Sequence, residues 1–170
     1  TNCPHSNLPI TVNVASGGTI SVTTVKLLTK GDWNLYVEDL THVPVYGSDT
    51  SSVHVTWNDN TRQLQVLLPG ETADPGSATG KTTGNPSAAD AGQAFNVIVN
   101  AVDEYYNVVE DGADAQLAFS FTNADIYGTY PDSATWPGGT TLFQGTKTFN
   151  NGIMIKTAGI GVTRITAQDS

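Results

Sequence analysis

The sequence predicts an all-β protein made of two β-sandwich units joined by a linker. Short runs of alternating apolar and polar residues recur along the 170-residue chain, and turn-forming residues separate them. We find no window with the i, i+3, i+4 apolar spacing of a long amphipathic helix. Only 14% of the residues are charged, whereas an average globular domain has about 25%. Thr, Ser, Gly, Val and Asn are abundant instead, which favours strands and turns.

The clearest alternation lies between Ala91 and Gly112, in the stretch AGQAFNVIVNAVDEYYNVVEDG. One face of this predicted strand carries Phe95, Val97, Val99 and Ala101. A polar turn, DEYYN, follows it and leads to a second short apolar run at Val108 and Val109. The pattern predicts a hairpin with one buried face, at the front of a β-sandwich.

The first predicted unit covers residues 1–68 and begins with an irregular arm. Residues 1–9 contain two prolines and two asparagines, which disfavour pairing inside a sheet. Five runs with strand character follow, at residues 10–14, 19–28, 33–37, 53–57 and 62–68. Five short strands are enough for a small sandwich or a half-open barrel.

Residues 69–90 are predicted to be a linker, because they contain almost no large apolar side chain. Gly, Pro, Ser, Thr and Ala dominate this segment, and about 20 such residues are unusual inside one compact domain. The domain boundary is therefore expected here. An alternative is a long ordered crossover between two sandwiches.

The second predicted unit covers residues 91–170 and has strands at regular short intervals. After the hairpin, strand character returns at residues 115–122, 141–143, 146–149, 153–156 and 160–167, with a break expected at 150–152. A long aromatic loop occupies residues 124–140. This spacing is typical of an immunoglobulin-like sandwich, so the predicted fold class is two immunoglobulin-like β-sandwich units with a Gly/Pro/Thr-rich linker.

The net charge of −9 restricts the classes of partner. An acidic surface repels nucleic acid and anionic lipid head groups, so we expect neither as a partner. We find no apolar run long enough to span a membrane and no signal-peptide pattern at the first residues. The scarcity of Cys and Lys, with abundant Thr and Gly, fits an extracellular or cell-surface protein of a prokaryote.

The one cysteine, Cys3, lies in the N-terminal arm and excludes an intrachain disulfide. Three interpretations remain open: an intermolecular disulfide, a covalent attachment point, or no special role. No Cys/His spacing suits a zinc site.

Several oxygen-bearing side chains cluster around the turn of the central hairpin. They are Asp103, Glu104, Asn107, Glu110 and Asp111. Such a set could hold Ca²⁺, which takes six to eight oxygen ligands, although the spacing does not match an EF-hand loop. The alternative is a hydrogen-bonded turn in which Asp103 and Asn107 bond to their own backbone, and we favour it.

The aromatic loop carries Tyr127, Tyr130 and Trp136. Exposed aromatic side chains could stack on glycans or pack against a neighbouring subunit. A loop that folds back over its own sheet explains them equally well. No residue spacing indicates a nucleophile, a general base or a catalytic carboxylate pair, so we expect no enzymatic activity.

Several segments of residues 64–170 resemble bacterial immunoglobulin-like repeats of large surface and adhesin-like proteins. Those repeats read AG-x-x-F-x-V-x-V-x-A-V-D-x-x-x-N-V-V and close with K-T-A-G-x-x-T-I-T-A. The matching positions are Ala91-Gly92, Phe95, Val97, Val99, Ala101-Val102-Asp103, Asn107-Val108-Val109, Lys156-Thr157-Ala158-Gly159 and Ile165-Thr166-Ala167. The resemblance implies an extracellular spacer, adhesive or assembly module, and it supplies no catalytic residue.

The sequence therefore predicts a non-enzymatic structural subunit of an extracellular filament or surface assembly. Its subunits would form a homopolymer by β-strand addition, with Ile10, Val12 and Val14 as the added strand and Cys3 placed to lock the junction. The alternative is a carbohydrate-binding or adhesive module that uses the tryptophans and the loop tyrosines. A plain spacer within a larger adhesin is the third interpretation. None of these functions requires a cofactor. Calcium bound at the acidic turn would be the one exception.

Overall fold

The computed structural model describes residues 3–14, 18–41, 47–58, 60–82, 85–110, 116–122, 124–131, 139–159 and 163–169. Over these residues the protein is all-β, with seven strands in three antiparallel sheets and no helix, which confirms the all-β part of the prediction. The strands are β1 (Gly31–Val37), β2 (Asp49–Val55), β3 (Gln63–Leu67), β4 (Ala94–Val102), β5 (Leu117–Thr122), β6 (Thr146–Met154) and β7 (Arg164–Asp169). Across the same residues, no helix has the length and apolarity needed to cross a membrane.

The chain divides into two compact units between Trp57 and Asn58. We call residues 1–57 the N-terminal unit and residues 58–170 the C-terminal unit. This division lies earlier than the expected boundary at residues 69–90. The reason is β3, which we had expected in the first unit, because it pairs along its length with β4, from Gln63 opposite Val102 to Leu67 opposite Ile98.

The C-terminal unit resembles a β-sandwich of three strands and two strands. One sheet has the order β3-β4-β6, and the other pairs β5 with β7. A single apolar core joins them. Its completely or almost completely buried members are Val97, Val99, Leu117, Leu142, Phe149 and Ile153. Phe149 of β6 meets Phe119 of β5 edge to face, with 4.9 Å between the ring centroids.

Strand β4 is the central strand of the larger sheet, whereas its alternation predicts only a strand with one buried face. Val97 and Val99 are completely buried and face the core. The opposite face of β4 is also covered, because Asn100 is 5% exposed there. Asn100 donates from Nδ2 to Oε1 of Gln65 at 3.2 Å and accepts from Oγ1 of Thr146 at 3.1 Å. These bonds join three neighbouring strands through buried polar groups. Such groups are stable in the interior only when each has a hydrogen-bond partner.

The expected break at residues 150–152 is present as a bulge rather than as an end of the strand. Strand β6 is continuous, but its register with β4 shifts between Phe95 and Val97. Asn151 adopts a φ of 50° there, and its amide donates to Oδ1 of Asn96 at 2.8 Å. The extra residues increase the local twist, while Ile153 still reaches the core.

The expected linker is an ordered loop of the C-terminal unit over much of its length. Ala73 and Lys81 form an antiparallel bridge. The amide of Gly76 donates to the carbonyl of Tyr105 at 2.7 Å, and Nε2 of Gln65 donates to the carbonyl of Gly80 at 2.7 Å. Backbone hydrogen bonds replace the apolar contacts that the sequence lacks here, so composition alone did not predict this packing.

The N-terminal unit contains the two-stranded sheet of β1 and β2. Trp33 pairs with Val53, and both are half-buried. The expected strands at residues 10–14 and 19–28 are not strands in the structure. These residues alternate and many are β-branched, but over residues 10–14 and 19–23 the described part of the chain provides no backbone hydrogen-bond partner.

Candidate functional site

The N-terminal unit lacks a closed apolar core. Within its described residues, Cys3 is the one buried apolar side chain, at 6% exposure. Eight large apolar side chains of this unit are instead exposed to solvent. They are Val12, Val14, Ile20, Val22, Val25, Tyr36, Val37 and Leu40. Exposed apolar surface of this extent is typical of an interaction site or of an incomplete fold.

The arm is held against residues 24–29 by side chains rather than by a backbone ladder. Asn7 donates from Nδ2 to the carbonyl of Thr24, and its Oδ1 accepts from the amide of Lys26 at 2.7 Å. Nearer the start, Oγ1 of Thr29 donates to the carbonyl of Pro4 at 3.0 Å. The two segments therefore run antiparallel, since later residues of one contact earlier residues of the other.

The predicted inter-subunit strand, Ile10 to Val14, follows the part of the arm that side chains hold against residues 24–29. Val12 is 40% exposed, Val14 is 57% exposed and Ile10 is half-buried. In the part of the chain that the structure describes, none of these three residues has a hydrogen bond. Their backbone groups are available to pair with another strand.

The thiol of Cys3 is buried, whereas an intermolecular disulfide requires an accessible thiol. Its Sγ contacts the carbonyls of Pro4 at 3.5 Å and Thr29 at 3.9 Å. The thiol is free and buried. An intermolecular disulfide at Cys3 therefore requires the arm to leave residue 29 first.

The tryptophans of the N-terminal unit do not form an exposed platform. Nε1 of Trp33 donates to the carbonyl of Thr29 at 2.8 Å, and Nζ of Lys30 lies 5.3 Å from the ring centroid of Trp57. Both indoles are half-buried. The exposed face of the same sheet is polar and carries the pair Asp32 and His54, with 2.5 Å between Oδ1 and Nδ1.

The acidic turn after β4 is a hydrogen-bonded turn around Asp103. This side chain is completely buried, and its Oδ1 accepts from the amides of Tyr105 at 2.8 Å and Asn107 at 2.9 Å. Its Oδ2 accepts from the amide of Asn58 at 2.9 Å and from Nδ2 of Asn107 at 3.0 Å. The turn returns the chain to a bridge between Val102 and Val108.

Among the other described members of the predicted calcium set, Asn107 bonds to Asp103, whereas Glu104 and Glu110 are exposed. Oε1 of Glu104 accepts from Nδ2 of Asn58 at 2.6 Å, and Glu110 is exposed. Asp111 lies outside the described residues. Among those that are described, no three His, Cys, Asp or Glu side chains form a group that could hold a metal ion.

The aromatic loop partly covers its own sheet, through Tyr130. The ring of Tyr130 lies 4.2 Å from that of Phe121, centroid to centroid, and is half-buried. Its hydroxyl accepts from the amide of Asp125 at 2.7 Å. Thr129 forms a bridge with Met154 at the end of β6. Tyr130 therefore belongs to the fold rather than to an exposed contact surface.

Asp125 attaches this loop to the segment after β6, although it was not among the predicted site residues. Its Oδ1 accepts from the amide of Tyr127 at 3.0 Å, and its Oδ2 accepts from the amides of Lys156 at 2.6 Å and Thr157 at 2.7 Å. The hydrogen bond from the amide of Tyr127 is the largest cause that lowers the pKa of Asp125 to about 2. Desolvation opposes it, and the amides of Thr157 and Lys156 lower the pKa further. The signal available in the sequence was the Asp-x-x-Gly spacing of a turn ending at Gly128.

The tip of the same turn presents apolar side chains to solvent. Ile126 is 85% exposed and Tyr127 is 66% exposed. Asp125 bonds to the amide of Tyr127 and to the amides of Lys156 and Thr157, so the backbone of the tip is held against the segment after β6. Trp136, the third member of the predicted contact set, lies outside the described residues.

A shallow groove of about 420 Å³ lies on the C-terminal unit between the end of β3 and the start of β4. Leu67, Pro69, Phe95 and Ile98 supply its apolar lining. The carboxylate of Glu71, which also lines it, accepts from Nζ of Lys81 at 2.9 Å. We find no arrangement of a nucleophile and a base in this groove.

Comparison of the chain with protein-family models, with curated proteins and with solved structures found no match. The resemblance to immunoglobulin-like surface repeats therefore stays a prediction. Any function has to be argued from the surfaces described above.

Proposed function

We propose that this protein is a non-enzymatic structural subunit of an extracellular filament or surface assembly, whose subunits join by β-strand addition. The observation that carries the proposal is the segment Ile10–Val14. It alternates as a strand does, it exposes Val12 and Val14, and its backbone has no hydrogen-bond partner in the described part of the chain.

The energetics favour pairing of this segment with another chain. An exposed valine that becomes fully buried contributes roughly 1.5–3 kcal/mol, and each new backbone hydrogen bond contributes about 1 kcal/mol. Strand addition supplies both at once, because the backbone forms the ladder and alternate side chains enter the partner's core.

The extracellular setting of the proposal has compositional support. A chain with one cysteine, a net charge of −9 and few lysines is suited to a surface in contact with the medium. The acidic balance also disfavours nucleic acid as an alternative partner.

Electron microscopy and light scattering of the purified protein, as a function of concentration, test the proposal. We expect regular fibres whose formation is abolished by Val12→Asn with Val14→Asn, since polar side chains would then enter the partner's core. Thr11→Asn with Asn13→Thr is the matched control, because these positions alternate with the valines and should leave assembly unchanged.

A protein that stays monomeric at high concentration, with a freely cleavable arm, would contradict the proposal. So would fibres that form equally well from both pairs of variants.

A second candidate function is glycan binding, favoured by the exposed and fixed side chain of Tyr127. An aromatic ring at a rigid tip can stack on a sugar face. Polysaccharide pull-down that is lost in Tyr127→Ala, and retained in Ile126→Ala, would support this function. Equal retention by both variants and the unaltered protein would exclude Tyr127 as the contact.

A further inference from the structure

The bulge of strand β6 takes a short segment out of the regular ladder with β4. Val97 of β4 lies opposite Phe149, and Phe95 lies opposite Ile153. The three residues 150–152 of β6 therefore face a single residue of β4. A bulge leaves its extra residues unpaired. Local backbone geometry, rather than strand pairing, consequently decides which residues fit at positions 151 and 152.

Two different constraints act on these neighbouring positions. Asn151 has a φ of 50°, which asparagine adopts more readily than most residues that carry a side chain. Gly152 is buried against Phe149, and a Cβ added to it would lie 2.7 Å from Cβ of Phe149. Glycine alone fits so close an approach. The fold therefore favours an Asn-Gly pair at the bulge.

An asparagine that precedes a glycine is chemically labile. The backbone nitrogen of the glycine can attack the carbonyl carbon of the asparagine side chain, and the glycine has no side chain that hinders the approach. Asn151-Gly152 is the one Asn-Gly pair of the sequence, and every other asparagine precedes a residue with a side chain. The sequence thus offers this reaction one preferred position.

The side chain of Asn151 is accessible to the reaction. The residue is exposed, and its carboxamide has no hydrogen bond in the described part of the chain. The backbone amide of Asn151 does form one, to Oδ1 of Asn96 at 2.8 Å, but that bond leaves the side chain free to turn. Asn151 also lines the shallow groove, so water reaches its carbonyl carbon from solvent.

We propose that Asn151 is a site of spontaneous deamidation. The backbone nitrogen of Gly152 loses its proton and bonds to Cγ of Asn151, the bond from Cγ to Nδ2 breaks, and ammonia leaves. The product is a cyclic succinimide. Water then opens the ring at either carbonyl, which gives aspartate or isoaspartate at position 151. The reaction consumes one water molecule and requires no oxidant, cofactor or enzyme.

Both products change the groove. Each carries a carboxylate at position 151 in place of a neutral carboxamide, and Glu71 already lines the same groove, where it pairs with Lys81. Isoaspartate also lengthens the main chain next to Gly152, which has no space around it. Because the ammonia is lost, the conversion marks an older copy of the protein with an additional negative charge. This inference does not depend on strand addition.

Peptide mass spectrometry of the aged, folded, full-length protein tests the proposal. The protein is kept in a mildly alkaline buffer at physiological temperature and sampled over weeks. We expect conversion of Asn151 at least about tenfold faster than that of any other asparagine, because only Asn151 precedes a glycine. Both aspartate and isoaspartate should form. The rate should rise with pH, because the nitrogen attacks after it loses its proton.

Anion-exchange chromatography provides a second readout with matched variants. Asn151→Asp marks where the converted protein elutes. Asn151→Gln has a side chain one methylene longer, which closes a larger and less favourable ring, so the charge shift on ageing should be lost. The fold of each variant is compared with that of the original chain by circular dichroism.

Three results would overturn the proposal. The first is a folded protein that stays unconverted while the urea-unfolded chain converts, because the bulge then protects Asn151. The second is conversion spread equally over several asparagines, or a charge shift that persists in Asn151→Gln. The third is aspartate without isoaspartate, since direct hydrolysis by water would then replace the cyclic route.

Discussion

The described residues of the N-terminal and C-terminal units differ in how many apolar side chains they bury. The C-terminal unit packs six almost completely buried apolar side chains between two sheets. The N-terminal unit has one such side chain among its described residues, Cys3, and exposes eight large apolar ones. Both units are rich in β-branched residues, so strand propensity does not explain the difference. Strands become stable when a partner supplies both hydrogen bonds and a covering face.

The largest expected effect is at the centre of the C-terminal core. Phe149→Ala removes a completely buried ring that meets Phe119 edge to face. We expect a loss of about 3–5 kcal/mol in the free energy of unfolding, measured by urea denaturation. Val12→Ala in the N-terminal unit should change it by less than about 0.5 kcal/mol in the monomer. Similar losses from both substitutions would show that the two units are equally packed.

The next largest effect is expected at the buried turn after β4. Asp103→Ala removes the acceptor of the amides of Asn58, Tyr105 and Asn107. Leaving buried donors unsatisfied costs about 1–3 kcal/mol each, so we expect a loss of at least about 2 kcal/mol in thermal or urea unfolding.

Glu104→Ala is the matched control for the turn, because Glu104 is exposed and accepts a hydrogen bond from Nδ2 of Asn58 at 2.6 Å. Its expected cost is under about 1 kcal/mol. A mild effect of Asp103→Ala, equal to that of the control, would contradict the hydrogen-bonded turn.

A smaller, pH-dependent effect is expected from Asp125. The pKa of this carboxyl is lowered from 3.8 to about 2 by backbone amides, the amide of Tyr127 first. The folded state therefore binds the proton less tightly than the unfolded state. The stabilisation is complete above about pH 4 and is lost as the pH falls through about 2.

Thermal unfolding is measured between about pH 5 and about pH 2. This range includes the unfolded and the folded pKa of Asp125, so the measurement reports its contribution. Asp125→Asn should flatten the pH dependence there, because the side chain no longer titrates. An unchanged profile in the variant would show that other carboxyls cause the acid sensitivity.

The smallest effect is expected from calcium. Both oxygens of Asp103 already accept hydrogen bonds from backbone and side-chain donors. We therefore expect the midpoint of thermal unfolding to stay within about 1 °C when millimolar Ca²⁺ or a chelator is added, since a bound ligand would raise it by mass action. A clear increase with Ca²⁺ that disappears in Asp103→Asn would contradict this interpretation of the turn.

The parts that were predicted from the sequence are those in which one local pattern decides the outcome. The alternation of β4 placed Val97 and Val99 in the core, and the turn residues around Asp103 predicted its bonds to Asn107. The strand at residues 19–28 was predicted wrongly, because an alternating run indicates a strand only when a partner is available. The hydrogen bonds that order much of residues 69–90, such as that from Gln65 to Gly80, could not be predicted, because they leave no trace in hydrophobicity.

Of the candidate site, the sequence selected the exposed Tyr127 but not its anchor, Asp125. The bonds of Asp125 to Lys156 and Thr157 join residues more than 30 positions apart. No local pattern carries that information. Likewise, Tyr130 is half-buried whereas Tyr127 is exposed, because the ring of Tyr130 contacts that of Phe121. Only the tertiary fold brings these two rings together.

Hydrogen exchange of the segment Ile10–Val14, in dilute monomer and in assembled protein, tests most directly whether the N-terminal unit is completed by another copy. The account predicts amides that exchange within seconds in the monomer and at least about a hundredfold more slowly in the assembly, because they then belong to a sheet. Equal exchange of Ile10–Val14 in both states would contradict strand addition.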